Sequence, residues 1–307
     1  MTSFPEYPGG KHYYTYDQYL RHTFGGKVAR VTLDAGFSCP NIDGTRGTGG
    51  CVFCSGRGSG DFCEPAHVPI AQQFARGKEK IRSKWQTDMF IAYFQAHSNT
   101  YAPVGALKQH FECALEQEGV VGLSIATRAD ALSQEVVDYL RQLDSRTHLT
   151  IELGLQTIHD STATAMNRCH TYEEFLWGYQ KLKGLRVGVH IINGLPGESH
   201  EMMLETARCV ASLQPHMVKI HLLHVLLNTP LAEMYAKGEF NILSLAEYVN
   251  IVCDQLEIFS NETVIGRLTG DGAVDQLIAP KWSLKKFVVM NEIDKEMRRR
   301  SGRHTSY

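Results

Sequence analysis

The chain has 307 residues, a formal net charge of −2 at pH 7, 43% hydrophobic and 21% charged residues. That composition excludes the disordered, collagen-like and low-complexity classes and leaves room for one large domain or two smaller ones around a sizeable core. A near-neutral balance also excludes a globally basic nucleic-acid binder, so any such partner must be held by a local patch.

The start MTSFPEYPGG has no apolar core behind a basic segment, and no window approaches about 18 unbroken apolar residues. The sequence therefore predicts a cytoplasmic chain with no membrane span. Residues 1–26 read as an N-terminal segment in which Tyr13, Tyr14 and Tyr16 could stack bases or cap a barrel. Short apolar, β-branched runs then recur at 27–34, 90–95, 122–128, 149–156, 187–194 and 218–225, six candidate strands in all. Between them, 104–118, 133–143, 171–183 and 201–213 carry apolar residues at helical spacing. Alternating strands and helices mean a parallel sheet with right-handed crossovers, either doubly wound or a partial barrel.

Polar residues gather where the strands end: Asp34, Gln95 with His97, Thr127 with Arg128, Gln156, Asn193, and His221 with His224. A barrel's C-terminal mouth carries its chemistry there, so the expected fold is α/β, a partial (β/α)6 TIM-like barrel over 27–242. From 243 to 307 the rhythm fades into a helical C-terminal extension, with a helix near 245–259, a TGDG turn and a basic tail. On the sixth strand Lys219, His221 and His224 are spaced by two and three positions, so not all are expected to face inward.

Eight Cys in a chain with no export signal point to a metal site rather than disulfides. Cys39, Cys51 and Cys54 form C-x11-C-x2-C in the loop after the first strand, and the glycines of 44–50 let that loop close. Three thiolates suit a [4Fe-4S] cluster with one iron left open, whereas a structural zinc site takes four ligands. Cys63 could supply the fourth and restore the zinc reading. Cys113, Cys209 and Cys253 stand alone in helical patterns, as small core residues do.

A three-Cys loop after the first strand of a partial barrel resembles the radical S-adenosylmethionine (SAM) enzymes. GFSCPN, GGCVFCS and GSGDF, together with IAYFQAHSNTYAP, VGLSIATRAD, IELGLQT, NRCH, HIINGLPGE, KIHLLH and TGDG, resemble the Elongator-related YtqA/YhcC-like branch with its MnmL-type tRNA-modifying proteins. The resemblance implies two cofactors, a [4Fe-4S] cluster and S-adenosyl-L-methionine, with Cys39, Cys51 and Cys54 as cluster ligands. It implies Gln95, Thr127, Glu152, Gln156, Arg168, Asn193 and Gly194 as cofactor-binding residues, with Arg168 neutralising the SAM carboxylate and Glu152 and Gln156 facing SAM. Many members have a Gly-Gly-Glu turn after the second strand, and this chain has Tyr93-Phe94-Gln95-Ala96 there. Alternatives remain at several positions: a structural ion pair for Glu152, a surface charge for Arg168, a helix N-cap for Asp130. No catalytic residue is assigned, and Lys219, His221 and His224 are candidate substrate contacts.

The same branch implies tRNA as partner and trimming of a carboxymethylaminomethyl group to aminomethyl on C5 of the wobble uridine. A one-electron reductant such as flavodoxin or ferredoxin would feed the cluster. Two basic stretches suit RNA, 76–84 and the tail 281–303, the latter with eight Lys/Arg against three acids, net +5. The competing readings are a radical SAM enzyme acting on a small molecule and a zinc- or cluster-stabilised RNA-binding protein.

Overall fold

The computed structural model describes residues 7–270 and 272–304. Asp271 of the TGDG turn and the side chain of Arg303 in the basic tail lie outside the described residues. In chain order, α1 (Tyr16–Phe24) precedes β1 (Val28–Leu33), and α2 (Ile70–Arg82) leads to β2 (Met89–Phe94). Then come α3 (Val104–Leu115), β3 (Val120–Thr127), α4 (Gln134–Asp144), β4 (His148–Gln156), α5 (Asp160–Ala165), α6 (Tyr172–Lys181) and β5 (Arg186–Asn193). The chain continues through α7 (His200–Ser212), β6 (Met217–Leu222), β7 (Val225–Leu226), α8 (Pro230–Ala236) and α9 (Leu245–Ile258). It ends with β8 (Val264–Arg267), β9 (Leu277–Ala279) and α10 (Lys286–His304).

Seven strands form one parallel sheet in the order β1-β2-β3-β4-β5-β6-β8. The order never reverses, so there is no switch point of the doubly wound kind, and β1 and β8 do not pair. The result is a curled, open half-barrel. All six expected strands are present, and the seventh, β8, comes from the segment after 243. The run expected at 218–225 divides: β6 stops at Leu222, and β7 turns away to pair with β9.

Successive residues of the strands point mainly to opposite faces of the sheet, with departures near the register shifts. Leu149, Ile151, Leu153 and Leu155 of β4 and Val218, Ile220 and Leu222 of β6 pack outward into the main core beneath the helices. The intervening residues point inward and are polar in the middle of the barrel. Below them Val28, Ile91, Met217 and Val264 close the floor against Tyr16 and Leu20 of α1. Tyr13 and Tyr16 are therefore buried at the base, far from any role at the mouth. Helix starts are set locally: Ser133 caps α4, and Thr171 and Ser244 form capping boxes with Glu174 and Glu247 at α6 and α9. Asp130 is thus not an N-cap; its carboxylate pairs with Arg128.

Several cations of both basic stretches pair with acids of the same chain. Arg76 and Lys80 pair with Glu64, Lys78 with Glu118 and Arg82 with Asp88. In α10, Arg299 pairs with Glu296, and Arg300 reaches Glu296, Asp254 and Glu257.

At the floor, burial and the nearby Arg186 push His148 and His216 down to about 4. Both are neutral in the folded chain where the unfolded chain, with an ordinary value near about 6.5, takes up protons. Stability is therefore complete above about pH 6.5 and is lost as pH falls towards about 4. Urea midpoints measured across that window should decline, and His216→Phe should make the decline shallower.

Candidate active site

The mouth of the half-barrel opens into a cavity of about 430 Å³, in the range of small-molecule sites. Cys39, Cys51 and Cys54 face it from the loop between β1 and α2. All eight cysteines are free thiols. Cys63 is buried, does not line the cavity, and has its thiol pushed up to about 11 by burial. It does not complete a four-thiol site, and among the described residues no group of three or more His, Cys, Asp or Glu closes around a single metal ion.

The loop is tied down by side-chain amides rather than by regular structure. Asn41 receives the Cys39 thiol on Oδ1 at 2.9 Å and donates from Nδ2 to Cys51 Sγ at 3.4 Å and to the Asn167 carbonyl at 2.8 Å. Asn167 answers with bonds to the Gly50 and Thr48 carbonyls. A Cβ on Gly58 would lie 2.3 Å from the His97 ring, so only glycine lets this part of the loop settle on the end of β2.

Arg168 is buried, not a surface charge. It donates to Cys51 Sγ at 3.4 Å and to the Gly154 carbonyl at 2.6 Å. The Cys51 thiol is held well below its ordinary value, first by the hydrogen bond from Cys54 and then, against burial, by Arg168 and Asn41. The same hydrogen bond and burial push the Cys54 thiol well above its ordinary value. A register shift between Gly154 and Gln156, with Gln156 at φ 77°, turns that side chain into the cavity, as bulges beside active sites do. Gln156 Oε1 and Arg168 Nε are buried without hydrogen-bond partners. Unpaired donors and acceptors beside three thiols fit a group that would occupy this space.

Gln95 and Thr127 also line the cavity, and Thr127 shares a 2.6 Å hydrogen bond with Thr100. Asn193 and Gly194 do not line it. The Asn193 amide is locked in a reciprocal pair with Gln255, both bonds 2.8 Å, which joins β5 to α9. Lys219, His221 and His224 all face the cavity, contrary to the expectation from spacing. Lys219 and His221 share a strand face, and His224 lies beyond the end of β6, where strand alternation no longer applies.

Glu152 lies four residues below Gln156 and is fully buried. Ser124 donates to Oε1 at 2.6 Å, while Tyr93 at 2.9 Å, His190 at 2.8 Å and Lys219 converge on Oε2. Arg30 stands 3.5 Å away. Its carboxylate is the centre of a buried polar layer and has little capacity left for a ribose. Burial alone would raise its pKa, but Lys219, His190 and Arg30 outweigh that and hold it well below the usual range. Asn41, Tyr93, His190, Arg267 and the rim residue Phe62 were not singled out by the sequence. Period-two alternation between Tyr93 and the neighbouring Phe residues was the one available signal.

The radical SAM superfamily pattern matches residues 42–210, and its C-terminal domain pattern matches 215–299. The chain belongs to the radical SAM superfamily. It is 48% identical over 301 residues to the protein YtqA of Bacillus subtilis (strain 168), covering 97% of this chain and 94% of that one. Over 137 residues it is 32% identical to the tRNA uridine(34) acetyltransferase of Methanocaldococcus infernus, which is 43% of this chain and 25% of that one. In fold it is similar to the archaeal M. infernus Elp3, with a TM-score of 0.66 at 20% identity over 88% of this chain and 63% of that chain. Members of the superfamily use a [4Fe-4S] cluster and SAM, and the chain is an enzyme of that class.

Glu152→Gln removes the counter-charge of a buried lysine and should cost about 3–5 kcal/mol. Because the native carboxyl has a depressed pKa, its contribution is complete above about pH 4.3 and is lost as pH falls below it. Chemical denaturation should show the two proteins differing widely at pH 7 and still at pH 5, with the gap closing progressively only as pH falls below about 4.3.

Proposed function

We propose that the chain generates a 5′-deoxyadenosyl radical from SAM and uses it to modify the C5 side chain of a tRNA wobble uridine, trimming carboxymethylaminomethyl to aminomethyl. The observation that carries the radical chemistry is the set of three thiols, Cys39, Cys51 and Cys54, sharing one cavity with Arg168. In this reading the three thiols would hold the cluster. When bound, the reduced cluster and SAM supply a radical able to take hydrogen from carbon beside an amine nitrogen, a step acid–base chemistry performs poorly.

The chain's own residues position and insulate. Arg168, hydrogen-bonded to Cys51, offers a planar guanidinium for a carboxylate such as that of SAM. Gln156 presents an unpaired acceptor, and Gln95 and Thr127 add polar contacts along the wall. Asp130 clamps Arg128 through two 2.8 Å bonds, and Arg128 in turn donates to the Arg168 carbonyl at 2.8 Å, which fixes the backbone carrying the guanidinium. Ile42 and Phe62 are exposed on the rim, apolar surfaces on which a base turned out of its stack could rest.

The tRNA assignment is supported by the stretch shared with a protein named tRNA uridine(34) acetyltransferase. Since the basic stretches at 76–84 and 281–303 carry internal ion pairs, the RNA face in this reading centres on the rim. A one-electron reductant of the flavodoxin or ferredoxin kind completes the cycle, in the cytoplasm.

The test is anaerobic cluster reconstitution, then incubation with dithionite and SAM, with and without bulk tRNA from cells lacking this gene. 5′-Deoxyadenosine should form, and the tRNA nucleosides should shift from carboxymethylaminomethyl to aminomethyl uridine. Cys51→Ala should form no deoxyadenosine while unfolding at a temperature close to that of the apo wild type; unchanged turnover would sink the cluster assignment. Phe62→Ala should weaken tRNA affinity about 5-fold or more, the range of a lost base-stacking contact.

A further inference from the structure

Polar side chains from three separate segments converge on the sulfurs of Cys39 and Cys51. Asn41, 1% exposed, lies between the two: its Oδ1 accepts the Cys39 thiol and its Nδ2 donates to Cys51 Sγ. From the turn after β2, Ser98 Oγ donates to Cys39 Sγ at 3.5 Å, and from the segment before α6 Arg168 Nη1 donates to Cys51 Sγ. All three side chains line the cavity.

The position of Ser98 is built by its neighbours. The residue is buried, its backbone N–H reaches the Ser38 carbonyl at 3.3 Å, and its own carbonyl accepts from Tyr101 at 3.0 Å. Asn99, fully buried, donates to the carbonyls of Phe94, Ala96 and Ala126, which fixes this turn on the ends of β2 and β3. Among the described residues the Ser98 hydroxyl has no hydrogen bond other than the one to Cys39. The direction of Asn41 is equally determined. Its Nδ2 also donates to the Asn167 carbonyl at 2.8 Å, and a carbonyl takes only a donor, so the amide nitrogen faces Cys51 and the oxygen faces Cys39. The Cys39–Asn41 bond needs the thiol proton, and a ligand thiolate has none. Once Cys39 is deprotonated, Asn41 supports Cys51 alone, and Ser98 is the side chain left to donate to Cys39.

We propose that Ser98 and Asn41 are positioning residues for the iron–sulfur cluster, and that their hydrogen bonds to the sulfurs of Cys39 and Cys51 set its reduction potential. This rests on the function proposed above, in which these cysteines are the cluster ligands. Reduction adds one electron, and so one negative charge, to the cluster and its ligand sulfurs. Donors aimed at those sulfurs stabilise the more negative state and raise the potential. The electron comes from a one-electron reductant of the flavodoxin or ferredoxin kind, and these two residues bring the potential towards the reach of such a donor.

The experiment is an anaerobic redox titration of the reconstituted holoenzyme, without SAM or tRNA, followed by the electron paramagnetic resonance signal of the reduced cluster and normalised to bound iron. Ser98→Ala removes the donor to Cys39 and leaves the bond between Asn41 and Asn167 in place. Poised at the wild-type midpoint, its ratio of reduced to oxidised cluster should fall about threefold or more, the size of one lost hydrogen bond. Asn41→Asp exchanges the donor at Cys51 for an acceptor and should move the ratio further in the same direction; where that variant fails to hold iron, Ser98→Ala decides alone. An unchanged Ser98→Ala midpoint at full iron content overturns the proposal, because a carboxylate at position 41 would shift the potential by its charge alone. Iron lost from Ser98→Ala, with an unchanged midpoint in the loaded fraction, reduces Ser98 to a packing role and overturns it too. If the wild type itself holds no iron, the cluster assignment falls and the potential claim with it, an outcome distinct from a loaded cluster whose midpoint does not move.

Discussion

The contact on which the rest depends is the buried pair Glu152 and Lys219, on β4 and β6. A carboxylate fully withdrawn from water persists only when hydrogen bonds and opposite charge replace its hydration, and here four strands contribute. Tyr93 comes from β2, Ser124 from β3, His190 from β5 and Lys219 from β6. These residues are not level in register: Tyr93 pairs with Ser124, but Glu152 lies opposite Ala126 and Gly188, and His190 opposite Gly154 and Lys219. They meet only because the sheet curls and shears. A flat sheet of the same sequence would strand a charge, so the polar layer selects the half-barrel over alternative packings with the same outward core. Selection of this kind carries a cost in stability, since an apolar layer would bind the strands at least as strongly.

Above that layer the architecture shifts from strand to loop. The segment between β1 and α2 has little regular structure, yet it must present three thiols to one cavity. It does so by borrowing rigidity from the opposite side of the mouth. Asn41 and Asn167 exchange bonds across the two segments, Val52 donates to the Met166 carbonyl at 3.2 Å, and Arg168 touches Cys51. Asn167 and Cys169 both adopt positive φ, at 51° and 55°, conformations that non-glycine residues keep only when their surroundings impose them. The NRCH segment is a brace for the cysteine loop as much as a source of a cationic side chain. Changes there would act on the thiols without touching them.

Much of this was legible in the sequence because it is carried by local pattern. Three cysteines at distinctive spacing and six apolar runs are visible without a fold. β8 was not, because four residues, VIGR, with two inward-facing polar or small members, carry too little periodicity to stand out. The long apolar look of the strands also hid their alternation: Glu152 and Gln156 share a face, as do Lys219 and His221, and that parity held more information than the strand ends did. Asn193 misled for a different reason. Its position at the end of β5 suits a ligand, but its amide is consumed by Gln255 from α9, a partner 62 residues away that no local signal could name. The ion pairs made by the basic stretches were hidden in the same way, since Glu64, Glu118, Asp254 and Glu257 come from other parts of the chain.

The two halves of the cavity are electrostatically distinct. At the top, the Cys51 thiol, held below its ordinary value, sits against Arg168, and Arg128 is matched by Asp130. At the bottom, Lys219, His190 and Arg30 gather around the buried carboxylate of Glu152, and burial holds His190 and His221 below their ordinary values. The side chains that fix the curl of the sheet also line the lower half of the cavity, so a substitution that flattens one alters the other.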